Sequence, residues 1–330
     1  MSFLLKRFMI STPFDLKRSL STFETGAYAI NLVKEFSLVN FSPASKPAKI
    51  EIKIMYTDPI SLGFAPTAEQ EAIASDKRVG FRFGDKGTHS SRTIMFEELS
   101  TLLRVVQPSF NREEFRKVIV QENCLGKRTV STRKLSLQRL SELYGLDGEV
   151  LLFRVMRQLW QSQESGRPLL ALLLAMARDP LLRITAPPII RLRPGEELSR
   201  QALVDALNRG TGSRFNEAIL DKIMRNAASS WTQSGHLQGR SRKTRHTVSP
   251  TPAVVTFALL LGYILGARGR VLFETLWTKV LDIGVEELIR IAMDAKRIGY
   301  LNLKASGGVV EVSQAQLLTE KERRLIHGTD

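Results

Sequence analysis

Cysteine occurs once, at Cys124, in a chain of 330 residues. A lone thiol forms no internal disulfide and supplies no zinc site built on several thiolates, so the sequence points to a reducing compartment. Cys124 itself reads as a small buried hydrophobe. Long apolar runs are missing as well. The two nearest candidates are residues 168–177 (PLLALLLAMA) and 253–267 (AVVTFALLLGYILGA). Both fall short of the roughly 20 apolar residues that a spanning helix needs, and Gly262 and Gly266 interrupt the second. They are expected to be buried core helices, with no membrane insertion. The opening residues, MSFLLKRFMI, carry charge inside the apolar stretch and no small-residue cleavage site after it. That does not fit a secretory signal, and a bacterial cytoplasmic location is expected.

Catalytic patterns are absent too. Arg128 follows Gly126-Lys127 where a P-loop needs Ser or Thr, and Gln121 stands where its first glycine belongs. His89, His236, His246 and His327 have no histidine partner at helical i,i+4 spacing and no neighbouring carboxylate–cysteine set. No metal site is therefore expected, and the four read as surface or hairpin residues, with His236 and His246 adding protonated charge to a basic patch. Glu51-Ile52-Lys53 lacks the upstream aspartate of a nuclease motif. Glu97-Glu98 and Glu286-Glu287 are helix neighbours, whose side chains diverge by about 100° and cannot share a proton. The expectation is a protein without enzymatic activity, metal or cofactor.

Carboxylates are few, 33 against 48 lysines and arginines, which leaves a net charge of +15. Such a surface attracts polyanions, nucleic acid first among them. The deficit is concentrated. Between Asp221 and Glu274 no acidic residue occurs, while Lys222, Arg225, Arg240, Arg242, Lys243, Arg245, Arg268 and Arg270 do. Between Glu122 and Glu142 the same holds for Lys127, Arg128, Arg133, Lys134 and Arg139. Solvated faces usually interleave both signs, so the two stretches are candidate phosphate-binding sites. Ser131 and Thr132 accompany the first, and Asn226, Ser229, Ser230, Gln233 and His236 the second, as side chains able to reach phosphates or base edges. Trp231, among them, reads as buried behind its helix.

The remaining pattern is helical. Met95, Phe96, Leu99, Leu102, Leu103 and Val106 recur at three- and four-residue spacing, and Pro108 stops that helix. Asn111 is an N-cap for a helix carrying Phe115, Val118 and Ile119 inward and ending at Gly126. Residues 131–144 form the next helix, closed by Gly145, which completes a helix-turn-helix outline. Residues 146–160 continue as an amphipathic helix. The proline-rich stretch 185–195 (TAPPIIRLRPG) reads as extended and as the domain boundary. Beyond it, helices at 199–207 and 216–231 precede a basic hairpin or strand at 240–248, which is the order of a winged helix. A helix at 286–297 followed by strands around Ser306-Gly307-Gly308 is a second candidate.

The fold expected is mainly α, with two or three helix-turn-helix or winged-helix-like units and short β-wings. Residues 1–80 form a less regular extension, either an appendage, a partner-binding arm or a partly disordered segment, with a linker at 41–49 and a strand at 50–56. A helical domain spans 81–184, and a winged-helix-like region spans 185–330.

Three runs carry a family resemblance: residues 122–129 (ENCLGKRT) with Ser131-Thr132-Arg133, residues 229–237 (SSWTQSGHL) before the basic hairpin, and residues 307–312 (GGVVEV). Over residues 81–318 the chain resembles BrxA-type proteins, small helical proteins of bacteriophage-exclusion (BREX) defence operons. The resemblance implies a DNA-binding accessory subunit with paired winged-helix-like lobes, working beside other defence subunits, and it leaves the N-terminal extension unmatched. Double-stranded DNA is the partner expected. A helical RNA-binding or antitermination-like protein, and a scaffold docking acidic proteins, are the alternatives that the basic surface alone would also serve.

Overall fold

The computed structural model describes residues 64–306 and 309–327. The strand expected at 50–56 and the linker at 41–49 lie outside them. A short helix, α1 (Ala68–Ala74), stands inside the N-terminal stretch that had shown no helical periodicity, started by a capping box between Thr67 and Gln70.

Three helices lead into the body. These are α2 (Phe96–Val105), α3 (Arg112–Arg116) and α4 (Val130–Tyr144). Asn111 caps α3 by accepting from the backbone N–H groups of Glu113 and Glu114. The helix then widens into a π-turn over Lys117–Gln121, which turns Val118 and Ile119 into the core. Thr129 caps α4, and Gly145, at φ +68, ends it in the left-handed region open to glycine. Cys124, in the turn between α3 and α4, is half-buried rather than buried, and burial pushes its thiol pKa up.

The core is built on α5 (Leu151–Trp160), α6 (Arg167–Arg178) and α11 (Pro252–Ile264). In α6 every residue from Leu169 to Ala177 is buried, as expected of an apolar run too short to span a bilayer. In α11 the fully buried Val254, Val255, Phe257, Leu259, Leu260 and Leu261 leave almost no face for water. Each such side chain contributes about 1.5–3 kcal/mol on leaving water. The α11 helix packs on both α5 and α6, so one apolar core runs across the boundary expected at 185–195. That boundary stretch is helical, not extended. It holds the end of α7 (Pro180–Ile184) and all of α8 (Ala186–Ile190), with Leu181, Leu182, Ala186 and Ile189 buried. Its prolines sit in first helical turns, where no amide hydrogen bond is lost. Residues Ile60–Asp330 accordingly belong to one compact unit.

Two segments then repeat an order of elements. In the first, α9 (Arg200–Thr211) and α10 (Glu217–Gln233) precede the antiparallel strands β1 (Leu237–Gln238) and β2 (Thr244–Arg245). Glu197 bridges to Thr244 and adds a third, one-residue strand. In the second, α12 (Leu276–Lys279) and α13 (Val285–Arg297) precede β3 (Asn302–Ser306) and β4 (Val309–Ser313), paired antiparallel. A last helix, α14 (Glu320–His327), is tied back by the Arg154–Glu322 ion pair at 2.6 Å. The protein is mainly helical with two small antiparallel sheets.

Candidate nucleic-acid interface

The N-terminal half of α10 is amphipathic. Leu220, Ile223, Met224 and Ala227 face the core, while Lys222 and Arg225 point outward. Asn216 caps the helix by accepting from the Ile219 N–H. Asp221, on the same helix, is occupied by Arg200 at 2.7 Å. Lys222 has no ion pair among the described residues, and Arg225 donates only to the Asp221 carbonyl. Close behind in sequence, the β1–β2 hairpin exposes Arg240 and Arg242, also without ion-pair partners among the described residues. Lys243 is half-buried and donates to the Gly239 carbonyl at 2.5 Å, and His246 is exposed. Gly239 makes the turn possible. At φ +107 a Cβ there would lie 2.0 Å from the Arg242 carbonyl oxygen.

The second half of α10 is not available to a ligand. Asn226 donates to the His89 carbonyl at 2.8 Å, and Gln233 accepts from the Phe96 N–H and donates to Ser229. Trp231 is fully buried, its indole N–H held by Thr185 Oγ1 at 2.8 Å. Asn226, Ser229 and Gln233, which the sequence offered as base or phosphate contacts, instead fix α10 to the segment 88–96.

That junction contains an array the sequence analysis missed. His89 Nδ1 lies 2.8 Å from Asp179 Oδ2, and its Nε2 lies 2.8 Å from Ser230 Oγ. All three side chains are buried, which corrects the expectation of a surface His89. The order resembles a hydrolytic relay, yet Ser230 Oγ donates to the Asn226 carbonyl and accepts from the Ile94 N–H. A hydroxyl enclosed in this way has no open side for a substrate. Asp179 also caps α7 through Leu181 and Leu182. Burial raises its pKa, but the His89 ring and the backbone N–H groups of Leu182 and His89 outweigh that and hold it below the usual carboxylate value. The array pins three distant segments together.

Two further expectations are corrected here. His236 adds no charge to the basic patch, because it is fully buried between Ser234 Oγ and the Val280 carbonyl, and burial pulls its pKa down to about 4. Arg245 is not exposed either. It is 4% exposed and paired with Asp282, a carboxylate 37 residues further on.

The cluster around the start of α4 is likewise less free than its sequence suggested. Glu98 of α2 neutralises Lys127 at 3.0 Å, and Glu142 pairs with Arg139 at 2.8 Å. Arg133 is spent on the carbonyls of Lys127 and Val120, and Thr132 completes the cap with Thr129. Arg128, Ser131 and Lys134 remain exposed. Ser131 and Lys134, with Thr132, Leu135 and Gln138, line a shallow depression of about 360 Å³. A larger groove of about 630 Å³, bordered by Ser109, Glu149, Arg154 and Arg157, contains none of the residues singled out in the sequence.

Among the described residues no group of three His, Cys, Asp or Glu side chains is placed to hold a metal ion, and no helix is long and apolar enough to cross a membrane. The interface is thus a basic helix face and hairpin tip on a mainly helical scaffold. Comparison with known protein families and with curated proteins finds no match.

Proposed function

We propose that the chain is a non-enzymatic DNA-binding protein that grips the duplex with the first half of α10 and the tip of the β1–β2 hairpin. In this reading α9, α10 and the hairpin act as a winged helix. The outer face of α10 enters the major groove, and the hairpin lies along the neighbouring backbone. One observation carries it: Lys222, Arg225, Arg240 and Arg242 are exposed without ion-pair partners on consecutive elements of a helix–turn–helix–hairpin. Arg128 and Lys134 at the start of α4 supply a lesser contact. The affinity is chiefly electrostatic, since the polar residues of α10 that could have read bases are engaged within the fold. The resemblance to BrxA-type proteins supports a place beside larger subunits of a bacterial defence system, in the cytoplasm.

The test is a titration against duplex DNA and structured RNA of equal length at two salt concentrations. Duplex DNA is expected to win the competition. Arg240→Ala with Arg242→Ala should lower the slope of log K against log salt by about 2, near 0.9 for each phosphate released. Equal or better binding of RNA would reassign the partner, and an unchanged slope would remove the hairpin from the interface.

A further inference from the structure

The two strands of the hairpin are two residues each, too short to hold a direction of their own. What holds them is visible on both sides. Along one edge, Gly195 N donates to the Arg245 carbonyl, Leu198 N to the Lys243 carbonyl, and Arg245 N to the Glu196 carbonyl, all at 2.8–2.9 Å. At the base, the loop that follows α12 takes over. Asp282 accepts from the Arg245 guanidinium with one carboxylate oxygen and from Val248 N at 3.1 Å with the other. Arg245 Nε reaches the Ile189 carbonyl at 3.0 Å, and His236, just before β1, meets the Val280 carbonyl at 2.7 Å. Asp282 itself adopts φ +60, a left-handed conformation uncommon for a non-glycine residue.

A buried ion pair is weak evidence for stability, because desolvating both charges offsets their attraction. Its directional demand is strong, since a guanidinium with a single carboxylate in reach cannot slide without stranding a charge. We infer that Asp282 is a positioning residue for nucleic-acid binding: through Arg245 it fixes the direction in which Arg240 and Arg242 are presented, so the second helix–helix–hairpin segment buttresses the hairpin of the first. This rests on the reading that the hairpin tip contacts DNA.

A double-mutant cycle on the salt slope tests it. One arm is Arg245→Met with Asp282→Leu, which replaces the pair by apolar side chains; a second arm, Asp282→Asn, keeps the volume and one acceptor should the first fail to fold. Each is combined with Arg240→Ala/Arg242→Ala in the full chain. The expected result is that the brace variants alone lower the slope by 1 to 2, and that adding Arg240→Ala/Arg242→Ala then changes little. The corresponding loss in affinity between 50 and 200 mM salt is roughly tenfold for two phosphates. A brace variant that keeps the wild-type slope and the full decrement of about 2 would overturn the positioning role. If Arg240→Ala/Arg242→Ala leaves the slope of the otherwise unaltered chain unchanged, the hairpin reading fails first, and the positioning role falls with it.

Discussion

From α9 to β2 the long helix turns Lys222 and Arg225 to solvent with no carboxylate opposite them, and the hairpin behind it ends in Arg240 and Arg242. From α12 to β4 the elements come in the same order, but the arginines are consumed locally. On α13, Arg290 pairs with Glu287 at 2.5 Å and Asp294 at 3.5 Å, and Arg297 pairs with Asp294 at 3.0 Å. Arg270, just before α12, is shared between Glu274 and Glu286. One segment keeps its positive charge for an outside partner, and the other spends it on itself. Shared architecture therefore does not mean shared use, and the distribution of carboxylates decides which copy can hold a polyanion.

Predictions follow from this contrast in order of size. Both segments draw on one core, so Ile223→Ala on α10 and Ile291→Ala on α13 should each cost about 2–5 kcal/mol. Chemical denaturation should show a single transition for residues Ile60–Asp330 in both variants; separate transitions would divide the scaffold. A pH difference should mark the first segment. His236 is held near pKa 4 in the fold and titrates near 6.5 when unfolded, so acid favours the unfolded chain across that window. Stability should fall by about 1.4 kcal/mol at pH 5.5 and roughly 2.5 kcal/mol at pH 4.5, and His236→Asn should remove this part in urea melts. Asp179, with its pKa lowered, costs stability only as pH falls through the ordinary carboxylate range near 4 and below, so the two effects separate.

Gly239→Ala should strain the hairpin turn by about 1–3 kcal/mol and weaken DNA binding, because the added carbon meets the Arg242 carbonyl. A shifted affinity without any loss of stability would argue against this cause. Smallest of all, Arg270→Ala with Arg290→Ala and Arg297→Ala should change stability by less than about 1 kcal/mol, as exposed ion pairs contribute little. The same triple variant should leave DNA affinity within about twofold, read by fluorescence anisotropy.

What the sequence made legible was local. Asn111, Asn216 and Gly145 mark helix ends by chemistry contained within a few residues, and the apolar α6 and α11 could only be core. The strands β3 and β4 and the burial of Trp231 were readable for the same reason. What stayed hidden depended on partners far along the chain. Lys127 looks unopposed until α2 brings Glu98 beside it, and Arg245 until the loop after α12 brings Asp282. His89, Asp179 and Ser230 are separated by 90 and 51 positions and share no motif. The prolines of 185–195 misled because the same residue that breaks a helix interior begins a helix well. Counting carboxylates along the sequence thus located the right region around α10 and overstated the one around α4.

The most direct test compares the salt dependence of duplex-DNA binding for the wild-type chain and for Lys222→Ala/Arg225→Ala/Arg240→Ala/Arg242→Ala. Loss of four phosphate contacts should flatten the slope by about 3.5 and leave the melting curve close to wild type. A quadruple variant that binds DNA with the wild-type slope would contradict the assignment of this face.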